Sequence, residues 1–250
     1  MAEPVVIARR FNGPPDSGHG GYACALVAQF FDFAAEVTLR APPPIERPLD
    51  VRRGDDGSAT LWDGETLVAE GRPATVEIEP PRGVTMEEAE AAARECPWLE
   101  HHPFPTCFAC GPERAVGDGM HEFPGPVAGR PGVWATPWLP DASLANESGE
   151  VLPLFVFAAL DCPSAAGAID AAGVAMTEHV HVLARLTGQV LGPVHAGDPQ
   201  VVVAWPIGSE GRKRRGGVAV FNGDEVVALG EALWIALQDP ARFRAAAGAG

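Results

Sequence analysis

One short phrase occurs twice in this chain, and it points to a duplicated architecture. Residues 63–71 read DGETLVAEG and residues 222–230 read NGDEVVALG, 159 positions apart and aligned without a gap. Identities fall at Gly64/Gly223, Val68/Val227, Ala69/Ala228 and Gly71/Gly230. An Asp-Gly or Asn-Gly pair feeding an apolar run signals a β-hairpin, because the tight turn requires positive φ, which Gly, Asn and Asp tolerate best. A repeat of this period is too long for a solenoid and predicts two related units, with any site formed between them.

Each copy closes a similar run of elements. In the first half, residues 4–11 (PVVIARRF) predict a strand and NGPPDSGHGG a loop broken by Pro and Gly. GYACALVAQFFDFAAE (21–36) then predicts a helix that is apolar nearly all round, spans roughly 20 Å and is expected inside a wrapper. EVTLRA, PLDVRR, GSATLWD and TLVAEGRPATVEIEP supply that wrapper as short β-prone runs of an antiparallel sheet. Residues 85–95 predict an exposed helix with a Thr-x-x-Glu capping box, and 96–132, dense in Pro and Gly, a linker or ordered loop. In the second half VWATPWLP predicts a strand, and an apolar helix starts near residue 152 and is interrupted at Pro163. EHVHVLARL, PQVVVAWPI, GGVAVFN and EVVALGEALWIALQ follow as strands. The fold class is α+β: unit one at 1–84, a linker helix and loop at 85–122, unit two at 123–240 and a flexible tail at 241–250.

Charge narrows the partners. With 33 acids against 18 bases the formal charge is −15, which disfavours phosphate backbones and anionic lipid surfaces, so neither nucleic acid nor membrane is an expected partner. No secretory leader and no run of 18 apolar residues is read, and a cytoplasmic location is expected. Five cysteines, an odd number, fit reduced thiols better than a disulfide framework.

Two further motifs carry a resemblance to a known family. Gly18-His19-Gly20-Gly21-Tyr22 opens the first buried helix, and Cys107-Phe108-Ala109-Cys110-Gly111-Pro112 is followed by Gly117-Asp118-Gly119-Met120. With the paired hairpins, these resemble the HGG and CFGCG…GL segments of the hotdog-fold acyl-CoA thioesterase superfamily in its tandem double-hotdog form. The resemblance implies a long helix wrapped by a curved antiparallel sheet in each unit, sheets joined edge to edge, and acyl thioesters bound between units. A homodimer of such chains is compatible with it.

Thioester hydrolysis needs donors for the developing oxyanion and a carboxylate to activate water or attack directly. Gly20 and Gly21, at the first turn of a helix, offer unpaired N–H groups at a positive dipole end, though a purely steric role for them is equally open. The family's helix often carries an acid about nine positions past the His, where this chain has Ala28. Ala159-Leu160-Asp161-Cys162-Pro163 in unit two resembles the family's L-x-D element, while Leu152-Pro153-Leu154 replaces its HGG. Unit one is thus expected to give the donors and unit two Asp161 as base or nucleophile, with a helix cap as the alternative role for Asp161. Glu178, in Met176-Thr177-Glu178-His179, resembles a second acid element of long-chain double-hotdog thioesterases, whose Thr and Gln align roughly with Ser209 and with Glu231 or Ala232. Asp16, Ser17 and His19 share one loop, and His179 and His181 alternate along one predicted strand.

Arg212, Arg214 and Arg215 are candidate grips for the phosphates of coenzyme A, the alternative being a solvated strand edge. Cys107-x-x-Cys110, near Cys96, His101, His102 and His121, is half of a zinc-knuckle pattern, but the second Cys-x-x-Cys is missing, so a loop anchor and no metal or separate cofactor are expected. Acyl-CoA hydrolysis leads. An enoyl-CoA hydratase or dehydratase, and a non-catalytic binder of acyl thioesters or lipids, are the alternatives.

Overall fold

A computed structural model describes residues 4–238 and joins eleven strands into one antiparallel sheet. In chain order these are β1 (Val5–Val6), β2 (Ala34–Leu39), β3 (Pro48–Arg53), β4 (Ala59–Asp63), β5 (Thr66–Pro73), β6 (Gly125–Pro126), β7 (Trp134–Trp138), β8 (His181–Val190), β9 (Gln200–Glu210), β10 (Lys213–Asn222) and β11 (Glu225–Ala236). The helices are α1 (Gly20–Ala28), α2 (Met86–Arg94), α3 (Pro153–Ala158) and α4 (Cys162–Asp170). Across the sheet the order is β1-β3-β4-β5-β2-β8-β11-β10-β9-β7-β6.

The first five positions carry α1 and the last six carry α3 and α4. They meet where β2 pairs with β8, from Ala34↔Gln189 to Thr38↔Arg185. Two helix-in-sheet units thus share one continuous sheet, and α1 packs against α3 across the junction. This is the double-hotdog α+β arrangement that the resemblance implies. The tail at 241–250 lies outside the described residues.

Both copies of the repeated phrase are hairpins of one build. Asp63↔Thr66 and Asn222↔Glu225 bracket two-residue turns opened by Gly64 (φ 58°) and Gly223 (φ 59°). Each hairpin also carries a bulge at the equivalent place, between Leu61 and Trp62 and between Val220 and Phe221. The second conserved glycine faces the central helix. A Cβ on Gly71 would lie 2.7 Å from Val27 Cγ1, and one on Gly230 would lie 3.2 Å from Leu160 Cδ1. The repeat therefore encodes a turn and a close helix–sheet approach in each unit.

Several predicted elements are shorter in the structure. The first strand is only Val5–Val6, followed by a 3-10 turn at Arg9–Phe11. Helix α1 ends at Ala28, because the chain passes through another 3-10 turn and then turns at Asp32 (φ 51°) and Phe33 (φ 56°) into β2. Residues 21–28 of it are all buried, as an apolar surface on every side requires. The second core helix breaks at Ala159–Asp161, and Pro163 sits in the first turn of α4, where its missing N–H costs nothing. The stretch Pro153–Asp170 is long and apolar enough to cross a membrane, but with 83% of it buried it is the core helix of unit two.

Helix α2 has the capping box in full: Glu88 N–H donates to Thr85 Oγ1 (3.2 Å) and Thr85 N–H donates to Glu88 Oε2 (2.8 Å). It is not wholly exposed, since Ala89 and Ala92 are buried against β6 and β7. Thr85→Ala is expected to cost about 1 kcal/mol in urea unfolding while leaving the site between the units undisturbed.

Candidate active site

The Cys-Phe-Ala-Cys segment, predicted as a linker or ordered loop, is ordered and inserted into the core. Phe108 is fully buried, edge-on to Phe11 (5.0 Å between centroids), and Phe11 stacks on Tyr22 of α1 (4.4 Å). That aromatic cluster pins the segment beside the start of α1.

His19 caps α1 with its ring. Its Nδ1 accepts the Tyr22 N–H at 3.2 Å, which leaves the ring proton on Nε2. Nε2 lies 3.1 Å from Asp161 Oδ2 and 3.3 Å from Cys162 Sγ. The Gly21 N–H donates to the same Asp161 Oδ2 at 2.5 Å. The structure thus brings together His19, Gly20, Gly21 and Asp161, the donors from unit one and the acid from unit two.

Asp161 stands in the break between α3 and α4 with φ −77° and ψ −84°, and its side chain makes no cap bond to its own helix. Asp161 still occupies the N-cap position of α4, its carbonyl accepting the Ser164 N–H at 3.0 Å. Its carbonyl accepts the Ser164 hydroxyl (2.5 Å), which in turn accepts the Trp234 indole N–H (2.9 Å), so β11 holds the acid in place. Only 2% exposed, Asp161 leaves Oδ1 without a hydrogen bond among the described residues. Burial pushes its pKa up to about 6, against the opposing pull of His19 and the Gly21 N–H.

Gly21 is a steric necessity here. A Cβ on Gly21 would lie 2.6 Å from Asp161 Cβ and 2.9 Å from the Ala158 carbonyl oxygen, so its absence lets α1 and α3 meet. A Cβ on Gly20 would lie 3.1 Å from Asp161 Oδ2 and from Leu183 Cδ2. No hydrogen-bond acceptor engages the Gly20 N–H among the described residues. Gly20 and Asp161 open onto a cavity of about 300 Å³ whose walls include Leu39, Pro43, Trp98, Phe104, Leu183 and Trp234.

Other sequence candidates stand elsewhere. Glu178 is exposed in a turn before β8, 3.5 Å from His179, and does not line the cavity; the strand that was expected to hold both starts only at His181. Ser209 is exposed at the end of β9, Glu231 pairs with Arg215 and Ala232 is buried. Asp16 is exposed, and the Ser17 hydroxyl is committed to the Pro43 carbonyl at 3.1 Å, which argues against a nucleophile in that loop. Of the basic run, Arg212 is exposed in a turn, Arg214 folds back onto the carbonyls of Gly211 and Lys213, and Arg215 is held by Glu231 (2.8 Å). None of the three lines the cavity, although Lys213 and Arg214 pair across the strand with Ile235 and Trp234, which do.

Sequence reasoning missed Cys162 and Glu122 and the pairing of His102 with Cys110. Cys162, adjacent to Asp161, places its sulfur 3.8 Å from that of Cys107. His102 Nε2 lies 3.2 Å from Cys110 Sγ. Glu122 is fully buried with neither carboxylate oxygen hydrogen-bonded among the described residues, and burial holds its pKa well above the usual range. No spacing signal marked Glu122.

His181, at the cavity wall, makes a pH prediction. It is 6% exposed, its Nδ1 contacts the His179 carbonyl at 3.0 Å, and burial pulls its pKa from 6.5 down to about 4, with the side chains of Arg214 and His179 beside it. Between those values the unfolded chain binds a proton that the folded chain refuses. The contribution of His181 is therefore full above pH 6.5 and is lost as pH falls toward 4. Urea-unfolding free energies should show that His181→Asn removes up to about 3 kcal/mol of this pH dependence.

No protein-family profile and no curated protein matches the sequence. Comparison with solved structures does find matches. The fold is similar to a thioesterase candidate from Novosphingobium aromaticivorans, with 10% identity, a TM-score of 0.57, and 93% of this chain and 94% of that one covered. It is also similar to a tesB protein of Mycobacterium avium subs paratuberculosis, with 13% identity, a TM-score of 0.55, and 90% and 89% covered. The chain is a double hotdog from end to end of the matched length.

Proposed function

We propose that this protein hydrolyses acyl thioesters, coenzyme A thioesters foremost, at the junction of its two units. The observation that carries the reading is the meeting of Asp161 from one unit with the first turn of the other unit's helix, beside a largely apolar cavity. A thioester carbonyl oxygen would accept the Gly20 N–H, whose alignment with the helix dipole stabilises the developing negative charge. Asp161 would take a proton from water as the water oxygen attacks the carbonyl carbon. The C–S bond then breaks, the proton passes to the departing sulfur, and a free thiol and a carboxylic acid leave. His19, through its Nε2 proton, and the Gly21 N–H orient the Asp161 carboxylate for this task. The exposed Arg212, at the strand end beside the cavity wall, is where a coenzyme A phosphate would meet positive charge.

The close His19–Asp161 pair favours one second reading on the same fold, hydration or dehydration of an enoyl thioester, in which the pair would act on the acyl chain. Free-thiol release from a panel of acyl-CoAs, with the absorbance of a crotonyl-type substrate followed in parallel, separates the two. Thiol release supports hydrolysis. Loss of enoyl absorbance without thiol release supports the hydratase, and tight binding measured calorimetrically with neither signal identifies a non-catalytic binder.

A further inference from the structure

Three thiols from two distant parts of the chain converge beside the cavity. Cys107 and Cys110 come from one tight turn, closed by the Gly111 N–H on the Cys107 carbonyl at 2.9 Å, and the two-residue spacing lets both sulfurs face one point. Cys162 arrives at the start of α4, 55 positions further along, with its Sγ 3.8 Å from Cys107 Sγ. Cys110 lines the same cavity wall as the other two thiols. Donor atoms of His19, Cys107 and Cys162 all lie within 4.8 Å of one another. An ion bound tetrahedrally by sulfur at about 2.3 Å has sulfur–sulfur edges of about 3.8 Å, whereas disulfide sulfurs bond at about 2.05 Å. The Cys107–Cys162 separation matches the length of a coordination edge.

Both neighbouring imidazoles point the same way. The Tyr22 N–H occupies His19 Nδ1 at 3.2 Å and the Phe104 N–H occupies His102 Nδ1 at 2.8 Å, so each ring carries its proton on Nε2. The His102 proton is aimed at Cys110 sulfur (3.2 Å), and that of His19 is shared between Asp161 Oδ2 (3.1 Å) and Cys162 sulfur (3.3 Å). An N–H donor directed at sulfur stabilises the thiolate form, which is the form that ligates a metal. All five side chains line the cavity, so one face of the cluster is open to it.

We propose that Cys107, Cys110 and Cys162 bind a zinc-class divalent ion through their sulfurs, with His19 and His102 as N–H donors to those sulfurs and the fourth coordination position facing the cavity. Soft sulfur donors select zinc and its first-row neighbours over magnesium or calcium. The sequence predicts no metal because the second Cys-x-x-Cys is missing; the fold supplies Cys162 in its place. The ligand set does not depend on thioester cleavage.

The test is titration of the reduced, chelator-treated full-length chain with Co²⁺ and then Zn²⁺, without substrate. Expected are one ion per chain, sulfur-to-cobalt charge-transfer absorbance of the strength given by three thiolates, tetrahedral d–d bands, and displacement of cobalt by zinc. Cys107→Ser and Cys162→Ser should each reduce both the charge-transfer intensity and the affinity. His102→Phe should weaken binding by about 10–100-fold with the thiolate count unchanged. Cys96→Ser, outside the cluster, should bind as the wild type does. Absence of the charge-transfer band in the wild-type chain overturns the proposal, whatever the variants do, and so does full intensity in a folded Cys162→Ser protein.

Discussion

Asp161→Asn is expected to lower kcat/KM for thioester hydrolysis by about 10²–10⁴-fold while leaving the protein folded. Asparagine has nearly the same shape, and its carbonyl can still accept the Gly21 N–H that Asp161 Oδ2 takes at 2.5 Å. What it cannot do is receive a proton from water. The desolvation that pushes the Asp161 pKa up to about 6 also disappears with the charge, so the variant should melt at the wild-type temperature or slightly above it. Loss of activity together with loss of folding would make Asp161 structural, and full activity in a folded variant would remove it from the chemistry.

Gly21→Ala should damage fold and site together. The added carbon would lie 2.6 Å from Asp161 Cβ and 2.9 Å from the Ala158 carbonyl oxygen, both on a neighbouring segment whose backbone must retreat. Such overpacking costs about 1–3 kcal/mol, and each kcal/mol lowers the Tm of a chain this size by about 2–4 °C. The retreat also carries Asp161 away from the Gly20 N–H, and a displacement of about 1 Å in a reacting group can cost about 10²-fold in rate. Gly20→Ala is the comparison. There the contacts, at 3.1–3.2 Å, are with side-chain atoms of Asp161 and Leu183 and need give by only a few tenths of an ångström, so stability should change less than activity. Equal stability of the Gly21→Ala protein and the wild type would show that the helices are not held as close as described.

The sequence made the duplication legible because the repeat sits on positions with strict backbone demands. Gly64 and Gly223 need positive φ, and Gly71 and Gly230 face their helices too closely for a side chain. Gly20 and Gly21 were visible through the likeness to the HGG segment, and Asp161 through the likeness to the L-x-D element. Glu178 and Arg215 misled because local pattern says nothing of direction: one sits in an exposed turn and the other is taken by Glu231 across the strand. Helix α1 ends earlier than its apolar run because Asp32 and Phe33 adopt left-handed conformations, which propensity does not signal for Phe. The sulfur cluster was hidden for a different reason. Its third member lies 55 positions from Cys107, and only the packing of the Cys-Phe-Ala-Cys turn against α4 brings them together.

A structure of the complex with a keto analogue of an acyl-CoA, in which methylene replaces the thioester sulfur, puts the shared site to its most direct test. The analogue's carbonyl oxygen should lie about 2.7–3.1 Å from the Gly20 nitrogen, with its carbonyl carbon facing Asp161 and its acyl chain between Leu183 and Trp234. Binding elsewhere on the molecule, or a cavity left empty at saturating analogue, would contradict a catalytic junction between the two units.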